Sequence, residues 1–203
     1  MSFFPVLIEL ENEPCLIAGG GAIALHKAEV LLREGADVTV IAPEVCKELE
    51  ALPLKIERRC VTEEDAKDRI LVVDASGSTE AEELLSKACR EHHTPYICSG
   101  HGEACTAIFP AIFRKGRTTV AVSSLGASPP ASAWLRDELA GYVPENMDLI
   151  LERMAEIRVL AKENIDTQEK RKEFFHRCLS KMLESGEIMG EKETEKLLEA
   201  YRG

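Results

Sequence analysis

Apolar residues in the first hundred positions come in short runs, separated by turn residues and by stretches of helical spacing. Phe4–Leu10 and Cys15–Gly19 are two runs of strand length, with Asn12-Glu13-Pro14 as turn chemistry between them. Ala24, Ala28, Leu31 and Leu32 then recur on one helical face, and Gly35 closes that helix. Asp37–Pro43 reads as a buried parallel-type strand. "LKIERRCV" predicts a short strand, "RILVVDAS" another buried one, "TEAEELLSKACREHH" a helix and "PYICSG" a last strand. Such alternation predicts a parallel sheet with helices on its faces, in which ligands bind beyond the carboxyl ends of the strands. Those ends are Gly19–Gly21, Ala42–Glu44, Asp74–Ser78 and Ser99–Glu103, so four loops are expected to converge on one crevice.

The texture changes near residue 111. "TTVAVSSLGASPPASAWLRDELAGYVP" predicts one strand, a Ser/Gly/Pro loop and one helix. From Met147 the chain is charged and helical, with apolar stripes at i, i+3 and i+4 in "ERMAEIRVLAKENI" and "KRKEFFHRCLSKML". The final "SGEIMGEKETEKLLEAYRG" is weakly apolar and is expected to fray. The expected organisation is α/β, with a Rossmann-type parallel sheet over 1–110, a small α+β segment over 111–147 and a helical domain over 148–203.

Charge narrows the partners. The 203 residues carry a net charge of −11. Residues 1–110 hold 10 basic against 20 acidic residues, and 111–203 hold 15 against 16. That balance lacks the basic footprint that nonspecific nucleic-acid binding requires. An anionic ligand must therefore meet local cations or backbone N–H groups. No apolar run approaches the ~20 residues of a membrane span. The start lacks a basic signal-peptide region, so a cytoplasmic location without membrane contact is expected. The seven cysteines are expected to be reduced. Cys98, His101 and Cys105 form one tempting cluster, but a tetrahedral metal site lacks its fourth ligand there, so no metal is expected.

Gly19-Gly20-Gly21-Ala22-Ile23-Ala24 fits G-x-G-x-x-A between a strand and a helix. Gly19 would make the tight turn, Gly21 would let a pyrophosphate touch the backbone, and Ala24 would permit close helix–strand packing. The helix start offers unpaired N–H groups and partial positive charge to phosphates. Gly19, Gly21, Ala22 and Ile23 are therefore cofactor-binding candidates, joined by Ala42, Pro43, Glu44, Asp74 and Ala75 from neighbouring strand ends. Neither an acid nor an Arg stands at the tip of the second strand, so NAD and NADP are not separated by this motif.

Three stretches in order, "FFPVLIELENEPCLIAGGGAIALHKAEVLLREGADVTVIAP", "TAIFPAIFRKG" and "TTVAVSSLGASPPASAWLRDEL", resemble the dehydrogenase/ferrochelatase module of siroheme synthase, found free as precorrin-2 dehydrogenase. His26-Lys27 stands where that family usually has Arg-Lys. The resemblance implies NAD-dependent oxidation of precorrin-2 to sirohydrochlorin, Fe²⁺ insertion in some members, and a homodimer in which 111–147 is the dimerisation segment. Ser124, Gly126, Ser128, Arg114 and Arg136 are candidates for binding the substrate's carboxylates. Ser128 reads equally as a helix N-cap with Pro129 after it. A non-catalytic dinucleotide- or tetrapyrrole-binding protein, and a chelatase without redox activity, are the alternatives.

The chain departs from the family where an Asp is implicated in proton handling. Gly100 occupies that position, and glycine takes no proton. His101 is the nearest stand-in and Glu103 a weaker one, which makes both catalytic candidates. Metal insertion removes two ring protons where dehydrogenation removes one, so ferrochelation is expected to be slow or absent.

Overall fold

The computed structural model describes residues 3–100 and 103–202. They form two compact units. One takes the residues up to Phe109 together with Leu125–Ala127, and the other takes Pro110–Ser124 and Ser128 onward.

The first unit holds β1 (Pro14–Ala18), α1 (Ala22–Arg33), β2 (Asp37–Ile41), α2 (Lys47–Glu50), β3 (Lys55–Glu57), β4 (Leu71–Asp74), α3 (Thr79–Glu91) and β5 (Tyr96–Cys98). The strands form one parallel sheet in the order β3-β2-β1-β4-β5. Because helices cover both faces of the sheet, the side chains of β1 are buried on both. Cys15 and Ile17 pack with Ala24, Ala28 and Leu31 of α1, whereas Leu16 and Ala18 pack with Leu85 and Ala88 of α3. That two-sided burial is why the strands read as continuous apolar runs rather than alternating ones. Truncating Leu16 or Ile17, each fully buried, to Ala is expected to cost about 2–5 kcal/mol.

One expected strand is absent. Residues 4–10 pair with no strand, and Phe4 and Leu7 are each 85% exposed. Both edges of β1 are already taken by β2 and β4, so the apolar run has no ladder to join there.

The second unit opens with an antiparallel hairpin of β6 (Ala111–Lys115) and β7 (Thr118–Val122). α4 (Pro129–Ala140) packs on that hairpin. α5 (Met147–Asn164), α6 (Gln168–Ser185) and α7 (Glu191–Glu199) share a core around Ile157, Phe174, Cys178 and Met182. The last stretch does not fray. Met189, Leu198 and Tyr201 are buried in that core, and Arg153 of α5 donates to the Met189 carbonyl and the Thr194 hydroxyl, both at 2.8 Å.

Candidate active site

A cleft of about 510 Å³ lies at the carboxyl ends of the strands in the first unit. Gly19 and Gly20 after β1 line it, as do Ala42, Pro43 and Glu44 after β2. Ser76 and Ser78, ahead of α3, close another side. The loop after β3 adds Arg59 and Cys60, so a strand end passed over in the sequence contributes directly.

The glycines here answer to different demands. Gly19 has φ +113°, and a Cβ on it would stand 2.4 Å from the Ala75 carbonyl oxygen. The fold itself requires glycine there. Gly21 has φ −93°, and a Cβ on it would meet nothing within 4 Å. Nothing inside the chain requires its lack of a side chain, which fits a group approaching from outside. Gly21 is the N-cap of α1 and supplies no side-chain cap. By contrast, α3 is capped by the Ser78 hydroxyl, which accepts from the Ala81 N–H at 3.3 Å. The first N–H groups of α1 are thus available to an anion. Ala22 and Ile23, both exposed, begin that helix.

Arg59 is saturated. Its Nε donates to Glu57 at 2.8 Å, one terminal nitrogen donates to Asp65 and to the Cys60 carbonyl at 2.7 and 3.1 Å, and the other donates to Glu57 and Asp65 at 2.6 Å each. An arginine has five N–H donors, and all are occupied. The hydrogen bonds to Asp65 and Glu57 raise the guanidinium's pKa above its ordinary value. Asp65 in turn accepts from the N–H and hydroxyl of Thr62.

A second, smaller cavity of about 80 Å³ is lined by Asp74, Glu82, Cys98, Ser99 and Gly100, and shares Ser78 with the first. The four expected loops therefore serve two neighbouring cavities rather than one crevice. Asp74 is 4% exposed and fully engaged: Tyr96 donates its hydroxyl at 3.0 Å, and Ser76 donates its N–H at 2.9 Å and its hydroxyl at 2.6 Å. Burial, then the Asp74 charge, holds the Tyr96 pKa above its usual value, so Tyr96 is a fixed donor. Ala75, beside Asp74, packs its carbonyl against Gly19. Glu82 projects from the first turn of α3, and a Cβ on Gly100 would stand 3.1 Å from its Oε2. A carboxylate thus lies beside Gly100, the position where the resemblance implies an Asp. Cys98 and Cys105 face each other across this region with sulfurs 3.1 Å apart. Burial, then the hydrogen bond with Cys105, pushes the Cys98 thiol up to about 12. His101 lies outside the described residues. Glu103 is exposed in a turn. Among the described residues no group of three His, Cys, Asp or Glu side chains could hold a metal ion.

The substrate-binding candidates fall mainly in the second unit. Ser128 caps α4, its hydroxyl accepting from the Ala131 N–H at 3.3 Å with Pro129 following. The Ser124 hydroxyl accepts from the Ser128 N–H and the Ser132 hydroxyl, both at 2.9 Å, and donates to the Ser128 carbonyl at 3.1 Å. Arg114 donates to Thr119 across the hairpin at 3.3 Å, and Arg136 pairs with its neighbour Asp137. Gly126 has φ +85°.

Two side chains escaped the sequence reading. Arg59 sits in "ERRC", where a dibasic pair looks like solvated surface, but the strand-end rule applied to β3 would have found it. Glu82 looks like an acid complementing a helix dipole, and only the fold brings it to Gly100.

The family described as "Putative NAD(P)-binding" matches residues 6–111, the stretch that carries the glycine turn and both cavities. The chain belongs to this NAD(P)-binding family. Two curated relatives are siroheme synthases. That of Thioalkalivibrio sulfidiphilus is 32% identical over 183 residues, covering 88% of this chain and 37% of the relative. That of Nitrosospira multiformis is 31% identical over 187 residues, covering 88% and 40%. The chain thus spans about two fifths of the length of these relatives. The resemblance to a siroheme synthase module read from the sequence is borne out. Among solved structures, "SirC, precorrin-2 dehydrogenase" aligns over 98% of both chains with a TM-score of 0.69 at 22% identity. That likeness supports the α/β Rossmann-type fold with a helical C-terminal region. Among the described residues no helix is long and apolar enough to cross a membrane.

Proposed function

We propose that this chain oxidises precorrin-2 to sirohydrochlorin using NAD⁺. The observation that carries the nucleotide half is the glycine turn itself: packing demands glycine at Gly19, while Gly21, open on all sides within 4 Å, leaves room for a pyrophosphate at the start of α1. Gly21 and the first N–H groups of α1 would hold the pyrophosphate, with Ala42, Pro43 and Glu44 beside the adenosine. The saturation of Arg59 supports NAD over NADP. A 2′-phosphate would need a cation near the β2 and β3 ends, and Arg59 has no N–H left to give. The similarity to siroheme synthases supports the substrate.

NAD⁺, when bound, would supply the hydride acceptor for the loss of two hydrogens from the substrate, and the accompanying proton would need a base on this chain. Glu82 is that base in this reading, since its carboxylate lies beside Gly100 in the smaller cavity. A positioned base contributes about 10²–10⁴-fold. Fe²⁺ insertion, with two protons to remove, is slow or absent. Arg114, Arg136 and the Ser124–Ser128 loop meet substrate carboxylates. The protein works in the cytoplasm as a homodimer through 111–147. Exposure of Trp134 and Tyr142, 64% and 81%, at and just beyond α4 supports a partner there; a monomer at micromolar concentration in light scattering would remove the dimer.

The test is to mix purified protein with precorrin-2 and NAD⁺, then NADP⁺, and follow absorbance. NADH and sirohydrochlorin are expected together, with NAD⁺ preferred at least tenfold, about 1.4 kcal/mol. Binding of NAD⁺ without turnover would favour a non-catalytic binding protein, and metal insertion without NAD⁺ a chelatase.

A further inference from the structure

β5 ends at Cys98, and the chain then returns beside it. The N–H groups of Thr106 and Ala107 donate to the Tyr96 carbonyl at 2.9 and 3.0 Å, and the Tyr96 N–H donates to the Thr106 hydroxyl at 2.8 Å. This return sets Cys105 opposite Cys98. The two sulfurs lie 3.1 Å apart, and the Cys98 N–H donates to the Cys105 sulfur at 3.1 Å. A disulfide bond is about 2.05 Å long, so closure needs a side-chain shift of about 1 Å. Access differs between the two. Cys105 is 6% exposed, whereas Cys98 is half-buried and lines the smaller cavity.

We propose that Cys98 and Cys105 are a peroxide-responsive dithiol that closes to an intrachain disulfide. The cavity of about 80 Å³ holds two or three waters at about 30 Å³ each. That is room for hydrogen peroxide. The Cys98 sulfur attacks one peroxide oxygen, the O–O bond breaks, one water leaves, and Cys98 becomes a sulfenic acid. The Cys105 thiol then attacks that sulfur. The S–S bond forms, the S–O bond breaks, and a second water leaves carrying the Cys105 proton. Two thiols lose two electrons and one peroxide becomes two waters. Because burial raises the Cys98 thiol's pKa, its thiolate is scarce and excess peroxide is needed. The bond would tie the 99–104 connection to the end of β5, at the wall that carries Asp74 and Glu82. It would leave the nucleotide cleft, which shares only Ser78 with that cavity, unchanged.

The experiment is mass mapping of the full chain after peroxide treatment and alkylation. Trypsin places both cysteines in the single peptide 91–114. That peptide is expected to lose the mass of two hydrogens, to carry no alkyl group, and to regain two alkylation sites after dithiothreitol. In Cys105→Ser, Cys98 lacks its resolving partner and is expected to proceed to the sulfinic acid, which dithiothreitol does not reverse. The proposal is overturned if wild-type Cys98 also goes to the sulfinic acid. It is equally overturned if exposed Cys60 oxidises while peptide 91–114 stays fully alkylated. Mass is the readout, so this failure is distinct from failure of the dehydrogenase reading.

Discussion

The two cavities at the strand ends are built of different material. The larger presents backbone, small side chains and an arginine already claimed by two carboxylates. It offers shape, N–H donors and, beside the committed arginine, the carboxylates of Glu44 and Glu80. The smaller presents groups that exchange protons or electrons: Asp74, Glu82 and the Cys98 thiol. One is suited to holding a dinucleotide, the other to acid–base work, and Ser78 is their common wall. If the proposed roles hold, the difference makes binding and proton handling separable, so single substitutions should damage one without the other.

The largest expected effect tests the glycine turn at the start of α1, next to the glycines that line the larger cavity. Gly21→Asp puts a carboxylate and extra bulk where no chain atom stands within 4 Å, and NAD⁺ binding should disappear from calorimetry while circular dichroism stays unchanged. Intact affinity in a folded variant would mean that no phosphate approaches Gly21. The second test targets the smaller cavity. Glu82→Gln removes the proposed base and keeps the size, so turnover of precorrin-2 should fall about 10²-fold with NAD⁺ affinity within twofold of wild type. If both quantities fell together, the separation of the cavities would be lost. The smallest effect sharpens the account of Arg59. Glu57→Gln with Asp65→Asn weakens its clamps, and the NAD⁺/NADP⁺ affinity ratio should narrow about tenfold as the guanidinium becomes available to a phosphate. An unchanged ratio would assign the discrimination to other residues.

The sheet was legible because β1, β2 and β4 are buried on both faces and so appear as unbroken apolar runs. The glycine turn was legible because its spacing is set by backbone sterics, which a sequence displays directly. Phe4–Leu10 misled for the converse reason: a run can be apolar without a neighbouring strand to pair with. The end of the chain misled because α7 is held by a few contacts, Leu198 and Tyr201 in the core and Arg153 on Thr194, rather than by a broad apolar stripe. Glu82 could not be read at all. Its relation to Gly100 exists only after α3 has folded back beside the end of β5, and no spacing rule connects positions so far apart in sequence.

The central claim is that Glu82, at the wall of the smaller cavity, takes the substrate's proton while the nucleotide in the larger one takes its hydride. It is tested most directly in an anaerobic single turnover of precorrin-2 with NAD⁺ on wild type and Glu82→Gln, following NADH and sirohydrochlorin together. The account predicts one NADH per sirohydrochlorin in the wild type, and in the variant the same products formed about 10²-fold more slowly at unchanged NAD⁺ occupancy. Full NAD⁺ occupancy with no NADH from the wild type, or wild-type rates from the variant, would contradict it.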